Sequence, residues 1–257
     1  MRIEKWYLDC VTPDGAGMIG YAARPGWGLL ALRISETLQW GAADSVPLSR
    51  TVVGGPLPVA TATAIDWQSR AVATTGRWVP LGPGIAPVVL HEESAGRIEW
   101  TCRCPAARAS VRIGATPYEG LGYAEQLVLT LPFARLPFRE LRWGRFVTEA
   151  HHCVWIRWRG RVERSWCFHN ARLVDANLTN AHELTWHGHR LQLARGMTLR
   201  SGRVADTIAA DAGWWRGLIP ASLGKVEETK WCSRGVLTDA QGRGHTGWAI
   251  HEVANFP

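Results

Sequence analysis

The sequence lacks the features that would place the chain in a membrane, on a secretory route or among nucleotide-binding enzymes. No apolar run among its 257 residues approaches the ~18–20 residues of a transmembrane helix. Residues 1–6 lead directly into a strand-like segment, without the apolar region of a signal peptide. We therefore expect a cytoplasmic protein, and peripheral association with the inner membrane stays open.

Motifs for several kinds of chemistry are also missing. There is no Gly-rich phosphate loop, no βαβ rhythm and no Gly-x-Ser-x-Gly elbow. Six cysteines occur, but Cys102 and Cys104 form a C-x-C pair rather than the C-x-x-C of common zinc or redox sites. Alternation places both on one apolar face with Ile98 and Trp100, so we expect buried free thiols. The sequence predicts no cofactor.

The charge is basic but not clustered. The formal net charge is +7, and the arginines are scattered between apolar positions as on the solvent face of strands. A nucleic-acid partner is therefore not expected, because the clustered basic stripe is missing. Single-stranded nucleic acid on aromatic platforms is the alternative that salt-dependent oligonucleotide binding would test.

The chain contains 15 tryptophans against 5 phenylalanines and 4 tyrosines, and almost every segment alternates with a period of two. Many short strands separated by turn signals indicate an all-β protein built from barrels or sandwiches. The region 105–119 is rich in small residues, so we predict domains at 1–115 and 116–257. A loop is predicted at 46–58, and only 205–215 hints at a helical period.

The strand from Tyr123 to Leu131 carries the most informative candidate. Its alternation places Tyr123, Glu125 and three leucines on one face. A carboxyl group among leucines is disfavoured in its charged form, so its pKa should rise, and a neutral acid could protonate an alkene or a carbonyl. The alternative is a structural ion pair with Arg142 or Arg145.

Two further segments offer residues that could bind a substrate. Arg145 could orient a carboxylate, and Trp143 could stack on a polyene or stabilise a cation. In the strand 152–158, His152 and Trp158 share one face and Trp155 lies on the other. Each of these residues also fits a simple place in a barrel core.

The last strand, 247–253, brings two titratable neighbours on opposite faces. His251 shares a face with small residues, whereas Glu252 shares one with Trp248, and either could be a second acid or base. His187 and His189 could project from one face as metal ligands do, but no third ligand is placed, so we predict no metal site.

Three stretches resemble the lipocalin-like group of carotenoid 1,2-hydratases (hydroxyneurosporene synthase type) and AttH-type proteins. They are Lys5–Val11, Gly120–Phe146 with its Gly-Tyr-Ala-Glu and Leu-Arg-Trp-Gly-Arg-Phe elements, and Gly247–Val253. The resemblance implies two tandem lipocalin-like (calycin-like) antiparallel β-barrel domains with a ligand site in or between the barrels. It also implies cofactor-free protonation of isoprenoid double bonds, with Tyr123, Glu125 and Trp143 at matching positions. The family pattern has Asp where this chain has Glu125.

Two functions of different class follow. The favoured one is an acid–base enzyme that hydrates, cyclises or isomerises a hydrophobic isoprenoid or polyene-like molecule through a cation. Its catalytic candidates are Glu125, Tyr123 and His251, and its substrate-binding candidates are Trp143, Arg145, Trp155, Trp158, His152 and Trp248. The alternative is a carrier that holds such a ligand unchanged. The oligomeric state is left open.

Overall fold

A computed structural model describes residues 1–28, 30–42, 45–180, 182–209 and 224–257. Within these ranges the chain forms two antiparallel β-sheets, one from each half of the sequence. This architecture confirms the all-β class predicted from the period-two alternation.

The first sheet contains eleven strands in the order β5-β4-β2-β1-β11-β10-β8-β7-β6, with β3 paired to β2 and β9 to β10. The strands are β1 (Arg2–Val11), β2 (Gly17–Trp27), β3 (Leu30–Ala31), β4 (Ile34–Trp40), β5 (Leu48–Val53), β6 (Val59–Ala60), β7 (Ile65–Ser69), β8 (Thr74–Pro80), β9 (Ile85–Glu93), β10 (Gly96–Ile113) and β11 (Thr116–Leu129).

The second sheet contains ten strands in the order β15-β14-β13-β12-β21-β20-β18-β17-β16, with β19 paired to β20. The strands are β12 (Glu140–Val147), β13 (His152–Arg159), β14 (Arg164–His169), β15 (Arg172–Val174), β16 (Asn177–Asn180), β17 (Glu183–Trp186), β18 (His189–Leu193), β19 (Met197–Arg203), β20 (Glu227–Thr238) and β21 (Gly244–Asn255). A short helix, α1 (Val204–Ala209), follows β19. The remainder of the 205–215 segment lies outside the described residues.

The chain passes from one sheet to the other between Leu129 and Glu140, through a 3₁₀ turn at Phe133–Arg135. The boundary predicted between residues 115 and 116 lies instead in the turn that joins β10 to β11, and these two strands pair along most of their length. The small residues and Pro117 that suggested a linker mark this hairpin turn. The sheet boundary therefore comes later than predicted.

Within the described residues the buried apolar side chains form three large clusters and a small fourth one of Val204, Val226 and Ala254, and the middle large cluster lies between the two sheets. In β1, Trp6, Leu8 and Cys10 face the core of the first half, whereas Tyr7 and Val11 face the cluster shared by both halves. A third cluster, around Trp155, fills the second half. The central strands are thus covered on both faces, which is why residues 6–11 are all buried.

Two sequence expectations about β10 and β5 are corrected. Cys102 belongs to the cluster between the sheets but Cys104 to the core of the first half, because register irregularities around Cys104 turn its side chain to the other face. The predicted loop at 46–58 contains β5, an edge strand that pairs only with β4. All six cysteines are free and buried as expected.

Candidate functional site

A cavity of about 330 Å³ lies between the two sheets. Its apolar wall includes Ile3, Leu127, Leu129, Phe138, Leu141 and Phe256. Charged side chains also reach it, namely Lys5, Glu36, Arg200, Glu228 and Glu252. Apolar walls with a few convergent polar groups are the usual form of a small-molecule site.

Glu125 lies one pleat beyond this cavity on the same face of β11. Leu127, two residues along, and its partner Lys5 on β1 both line the cavity, while Glu125 is paired with Tyr7. The carboxyl group of Glu125 is half-buried. Strand alternation therefore places Glu125 on the same face as the cavity-lining Leu127, two residues along the strand from it.

Three donors bind one oxygen of Glu125. Its Oε2 accepts hydrogen bonds from Trp100 Nε1 at 2.5 Å, Tyr123 Oη at 2.6 Å and Trp143 Nε1 at 3.1 Å. Within the described residues, every hydrogen bond to this carboxyl group ends on Oε2. The second oxygen, Oε1, is thus the one left for a proton or for a ligand.

Burial is the main influence on the pKa of Glu125 and raises it above the usual value for a glutamic acid. The hydrogen bonds from Tyr123 and Trp100 and the charge of Lys5 act in the opposite direction but do not cancel it. The neutral acid therefore persists to higher pH than in an exposed glutamate.

The ion pair with an arginine, which was the structural alternative for Glu125, is not formed. Arg142 Nε donates to Glu140 at 2.8 Å. Arg145 instead donates through Nε and Nη2 to both oxygens of Asp9, at 2.9 and 2.6 Å. It also donates through Nη1 to the carbonyl oxygen of Trp248. Arg145 therefore joins the second sheet to the first, in a pair that is almost completely buried.

A network of buried ions lines the cavity on the other side. Lys230 Nζ lies 3.4 Å from Glu228 and also contacts Glu252, and Arg200 pairs with Glu36. Burial lowers the pKa of Lys230 to about 8. Burial alone would raise the pKa of Glu228, but the charges of Lys230 and Arg200 outweigh it and lower that pKa.

Trp143 has two roles in this arrangement. Its indole nitrogen binds Glu125, and its ring lies 4.8 Å from the ring of Tyr7. Lys230 Nζ lies 5.8 Å from the centre of the Trp143 ring and 5.9 Å from the centres of the Tyr7 and Tyr21 rings. The rings of Tyr7 and Trp143, which lie near Glu125, are therefore already in contact with the positive charge of Lys230.

The structure does not bring the other candidates to Glu125. Trp155 packs in the core of the second half, directly over Gly144, where a Cβ atom would collide with its ring. Trp158 lies behind the cavity wall, with its ring 4.6 Å from that of Phe138. His152 is buried with Nε2 unbonded within the described residues, and burial lowers its pKa to about 4.

His251 and Trp248 lie on opposite faces of β21. His251 Nε2 is 2.8 Å from Ser233 Oγ, and its ring stacks on Trp231. Trp248 reaches back to the first half and packs on Gly15 in the β1–β2 turn. Glu252, on the Trp248 face, is the one of the two titratable neighbours that reaches the cavity.

Acid sensitivity is the expected consequence of burying His251. Burial, with the charges of His182 and Lys230, lowers its pKa to about 3. The unfolded chain then binds a proton below about pH 6.5 that the folded chain excludes, so stability falls as pH falls through this range. This group alone should cost about 2 kcal/mol between about pH 7.5 and pH 5. Urea unfolding of His251→Gln should show a smaller loss in the free energy of unfolding over this pH range than urea unfolding of wild type.

The matched control for this measurement is His187→Gln, because His187 is exposed. It should show the same acid-induced loss as wild type. An acid-induced loss in His251→Gln as large as that of wild type would contradict the assignment.

The site contains residues that sequence reasoning missed. Trp100 was recognised as apolar but not as a donor to Glu125, and the partners Glu228, Lys230, Arg200 and Glu36 were not singled out. A signal was present in β20, where alternation puts Glu228, Lys230 and Cys232 on one face. Two residues of opposite charge that share one face of a strand with a buried apolar residue indicate a buried ion pair.

The described residues contain no helix that is long and apolar enough to cross a membrane. They contain one group with the spacing of metal ligands, His151, Asp239 and His245, which lies away from the cavity.

Fold and site together define a class, an all-β protein of two antiparallel sheets with a cavity between them and a hydrogen-bonded carboxyl group on the neighbouring part of one cavity-lining strand. No family model matches the sequence, and no curated protein matches it. Solved structures do. An AttH-type protein of Nitrosomonas europaea has a TM-score of 0.58 at 12% identity, over 98% of this chain and 92% of that one.

Two further solved structures resemble this chain with nearly the same TM-score. CghA, in a crystal structure with Sch210972, has a TM-score of 0.56 at 10% identity, over 99% of this chain and 88% of that one. Kievitone hydratase of Nectria haematococca has a TM-score of 0.55 at 10% identity, over 98% and 88%. At these identities the similarity establishes the fold, which is the two-domain lipocalin-like architecture expected from the sequence.

Proposed function

We propose that this chain is a cofactor-independent acid–base enzyme that protonates a double bond of a hydrophobic, isoprenoid or polyene-like molecule in the cavity between the sheets. One observation carries the proposal. A half-buried glutamic acid has three donors on one oxygen and keeps the other oxygen unbonded by the described residues, next to an apolar space.

The chemistry divides between the two oxygens of Glu125. A proton on Oε1 passes to one carbon of the double bond, which leaves a carbocation and a carboxylate. Trp100, Tyr123 and Trp143 stabilise that carboxylate through Oε2, so the acid is strong enough to give up its proton although burial raises its pKa. Water that adds to the cation returns a proton to Glu125 and completes a hydration.

The same intermediate has a second outcome. When water is excluded, Glu125 removes a proton from a neighbouring carbon, and the double bond is isomerised. Attack by a second double bond of the same molecule forms a ring and moves the positive charge to another carbon, and loss of a proton from a neighbouring carbon to the Glu125 carboxylate then gives a cyclised product. The outcome depends on whether water reaches the cation.

The ionised wall of the cavity carries charges of both signs, and its carboxylates are the groups that would attract a positive intermediate. The nearest aromatic faces are turned to Lys230, so they are less available to a substrate cation than expected from the sequence. Glu228 and Glu252 line the cavity, and neighbouring cations hold the pKa of Glu228 low in spite of its burial. Lys230 contacts both carboxylates, and Lys5 and Arg200 also line the cavity, so these cations offset part of the attraction of Glu228 and Glu252 for a positive intermediate.

The structural neighbours are consistent with this proposal. One is named as a hydratase and another was crystallised with a small molecule, Sch210972. These properties belong to those proteins and support the same class of function here by fold alone.

A dye-binding experiment tests the site. N-phenyl-1-naphthylamine, a neutral apolar dye that fluoresces when it leaves water, should bind wild type in the cavity. Leu127→Trp fills part of the cavity and should weaken binding about tenfold or more, equal to about 1.4 kcal/mol. Val236→Trp adds the same ring at an exposed position and should bind like wild type. Equal binding by both variants would place the dye elsewhere and remove the cavity as the ligand site.

A carrier function is the second candidate, because an apolar cavity with paired ions in its wall needs no reaction to hold a ligand. The dye experiment supports both functions equally. Replacement of Glu125 separates them, because a carrier keeps its ligand unchanged without the acid.

A further inference from the structure

Four histidines and one aspartate meet where several strands of the second sheet end. His151 lies in the β12–β13 turn, His169 is the last residue of β14, and His245 is the second residue of β21. Asp239 follows β20 directly. His189, the first residue of β18, completes the group. None of these residues lines the cavity between the sheets.

The ligand atoms of three of these residues are close. One ligand atom each of His151, Asp239 and His245 lies within 4.8 Å of the other two. His245 Nε2 is 3.2 Å from Asp239 Oδ2, and the ring centres of His151 and His245 are 4.2 Å apart. Asp239 is buried, whereas both histidines are half-buried.

We propose that His151, Asp239 and His245 form a Zn²⁺ site, with the fourth position open to water or to an external ligand. Bonds of 2.0–2.2 Å in a tetrahedron place neighbouring ligand atoms about 3.3–3.6 Å apart. The His245–Asp239 distance of 3.2 Å is close to this spacing, and the ligand atom of His151, which lies within 4.8 Å of both, would move nearer to them when a metal binds. Two imidazoles and one carboxylate are a donor set that zinc accepts, with three protein ligands typical of open sites.

His169 orients the ring of His151. Its Nε2 lies 3.3 Å from His151 Nδ1, so Nδ1 is engaged and Nε2 is the nitrogen left for the metal. A neighbour that holds the second nitrogen of a metal-binding histidine is the usual outer-shell arrangement. His169 continues the group towards His189, with ring centres 4.8 Å apart.

Arg243 competes with the metal for Asp239. Its Nε donates to Asp239 Oδ2 at 2.8 Å, and its side chain is 70% exposed. The other oxygen, Oδ1, accepts from the backbone nitrogens of Gln241 and Arg243 and so holds the turn between β20 and β21. Asp239 can therefore keep the turn through Oδ1 while Oδ2 exchanges Arg243 for a metal ion.

The experiment is a titration of chelator-stripped protein with ZnCl₂, in competition with the chromogenic chelator 4-(2-pyridylazo)resorcinol. One equivalent should bind, and CoCl₂ should give the visible spectrum of a tetrahedral site. His245→Ala and His151→Ala should each lose at least about tenfold in affinity, and His169→Ala about tenfold through the orientation of His151. The exposed His182 provides the control, and His182→Ala should bind zinc like wild type.

Arg243→Gln provides a second test, because its zinc affinity should change only if Asp239 binds the metal and should not change if the group is purely structural. It removes a competing cation from an exposed position and should tighten zinc binding several-fold while the fold is kept. Thermal unfolding of the metal-free variants reports whether each one folds. No stoichiometric binding, equal binding by His245→Ala and wild type, or unchanged affinity in Arg243→Gln would each overturn the three-ligand site.

Discussion

Replacement of Glu125 by glutamine is expected to abolish most turnover, with a loss of about 10²–10⁴ in kcat, the usual contribution of a positioned general acid. Glutamine has nearly the same shape, and its oxygen can still accept from Trp100, Tyr123 and Trp143. KM should therefore change little, because the cavity wall and the three donors are retained. What is lost is the proton that Oε1 delivers.

The measurement starts from the protein as it is purified. Lipids extracted from native wild type and from Glu125→Gln would be compared by mass spectrometry, and the variant should retain the unreacted alkene. That alkene then serves as the substrate for kcat and KM. Glu119→Gln, at an exposed position of the same strand, is the matched control and should turn over like wild type.

An infrared difference spectrum tests the protonation state without a substrate. The carbonyl stretch of a neutral carboxylic acid should persist to higher pH in wild type and in Glu119→Gln than it does for an exposed glutamic acid, and this contribution should be missing in Glu125→Gln. Turnover by Glu125→Gln at the wild-type rate would contradict the assignment of Glu125 as the general acid. An identical, unchanged ligand in all three proteins would favour the carrier.

The part of this site that lies on one strand could be predicted from the sequence. Alternation along β11 is local, so it correctly placed Tyr123 and Glu125 on one face with the leucines. The partners of Glu125 come from β10 and β12, which belong to different sheets. A period-two pattern gives the face of a strand but not the strand that lies opposite across a cavity.

The errors in the sequence-based expectations have the same physical origin. An irregularity of one residue moves a side chain to the other face, and this happens at Cys104 in β10. Arg145 was expected to orient Glu125 or a carboxylate of a substrate, but the carboxylate that it binds is that of Asp9, 136 positions away in the sequence. Nothing local in either strand identifies that partner.

Removal of Asp9 should destabilise the fold far more than removal of a carboxylate from an exposed ion pair. Arg145 and Asp9 are 0% exposed, and they join β12 to β1 across the space between the sheets. Asp9→Ala leaves the guanidinium buried, and among the described residues its remaining acceptor is the carbonyl oxygen of Trp248. Breaking one side of a buried pair costs about 3–5 kcal/mol, because the remaining charge is uncompensated.

Unfolding in guanidinium chloride measures the free energy of unfolding that Asp9→Ala loses. Two other variants serve as comparisons. Asp66→Asn removes a pair with Arg77 whose side chains are 44% and 55% exposed, and it should cost less than about 1 kcal/mol. The double replacement Asp9→Leu with Arg145→Met removes both charges and should recover most of the stability lost in Asp9→Ala. If the double variant is no more stable than Asp9→Ala, the cost does not come from the unpaired charge. Recovery of stability would instead show that the loss in Asp9→Ala comes from the unpaired guanidinium, and that apolar side chains can replace the pair between the two sheets.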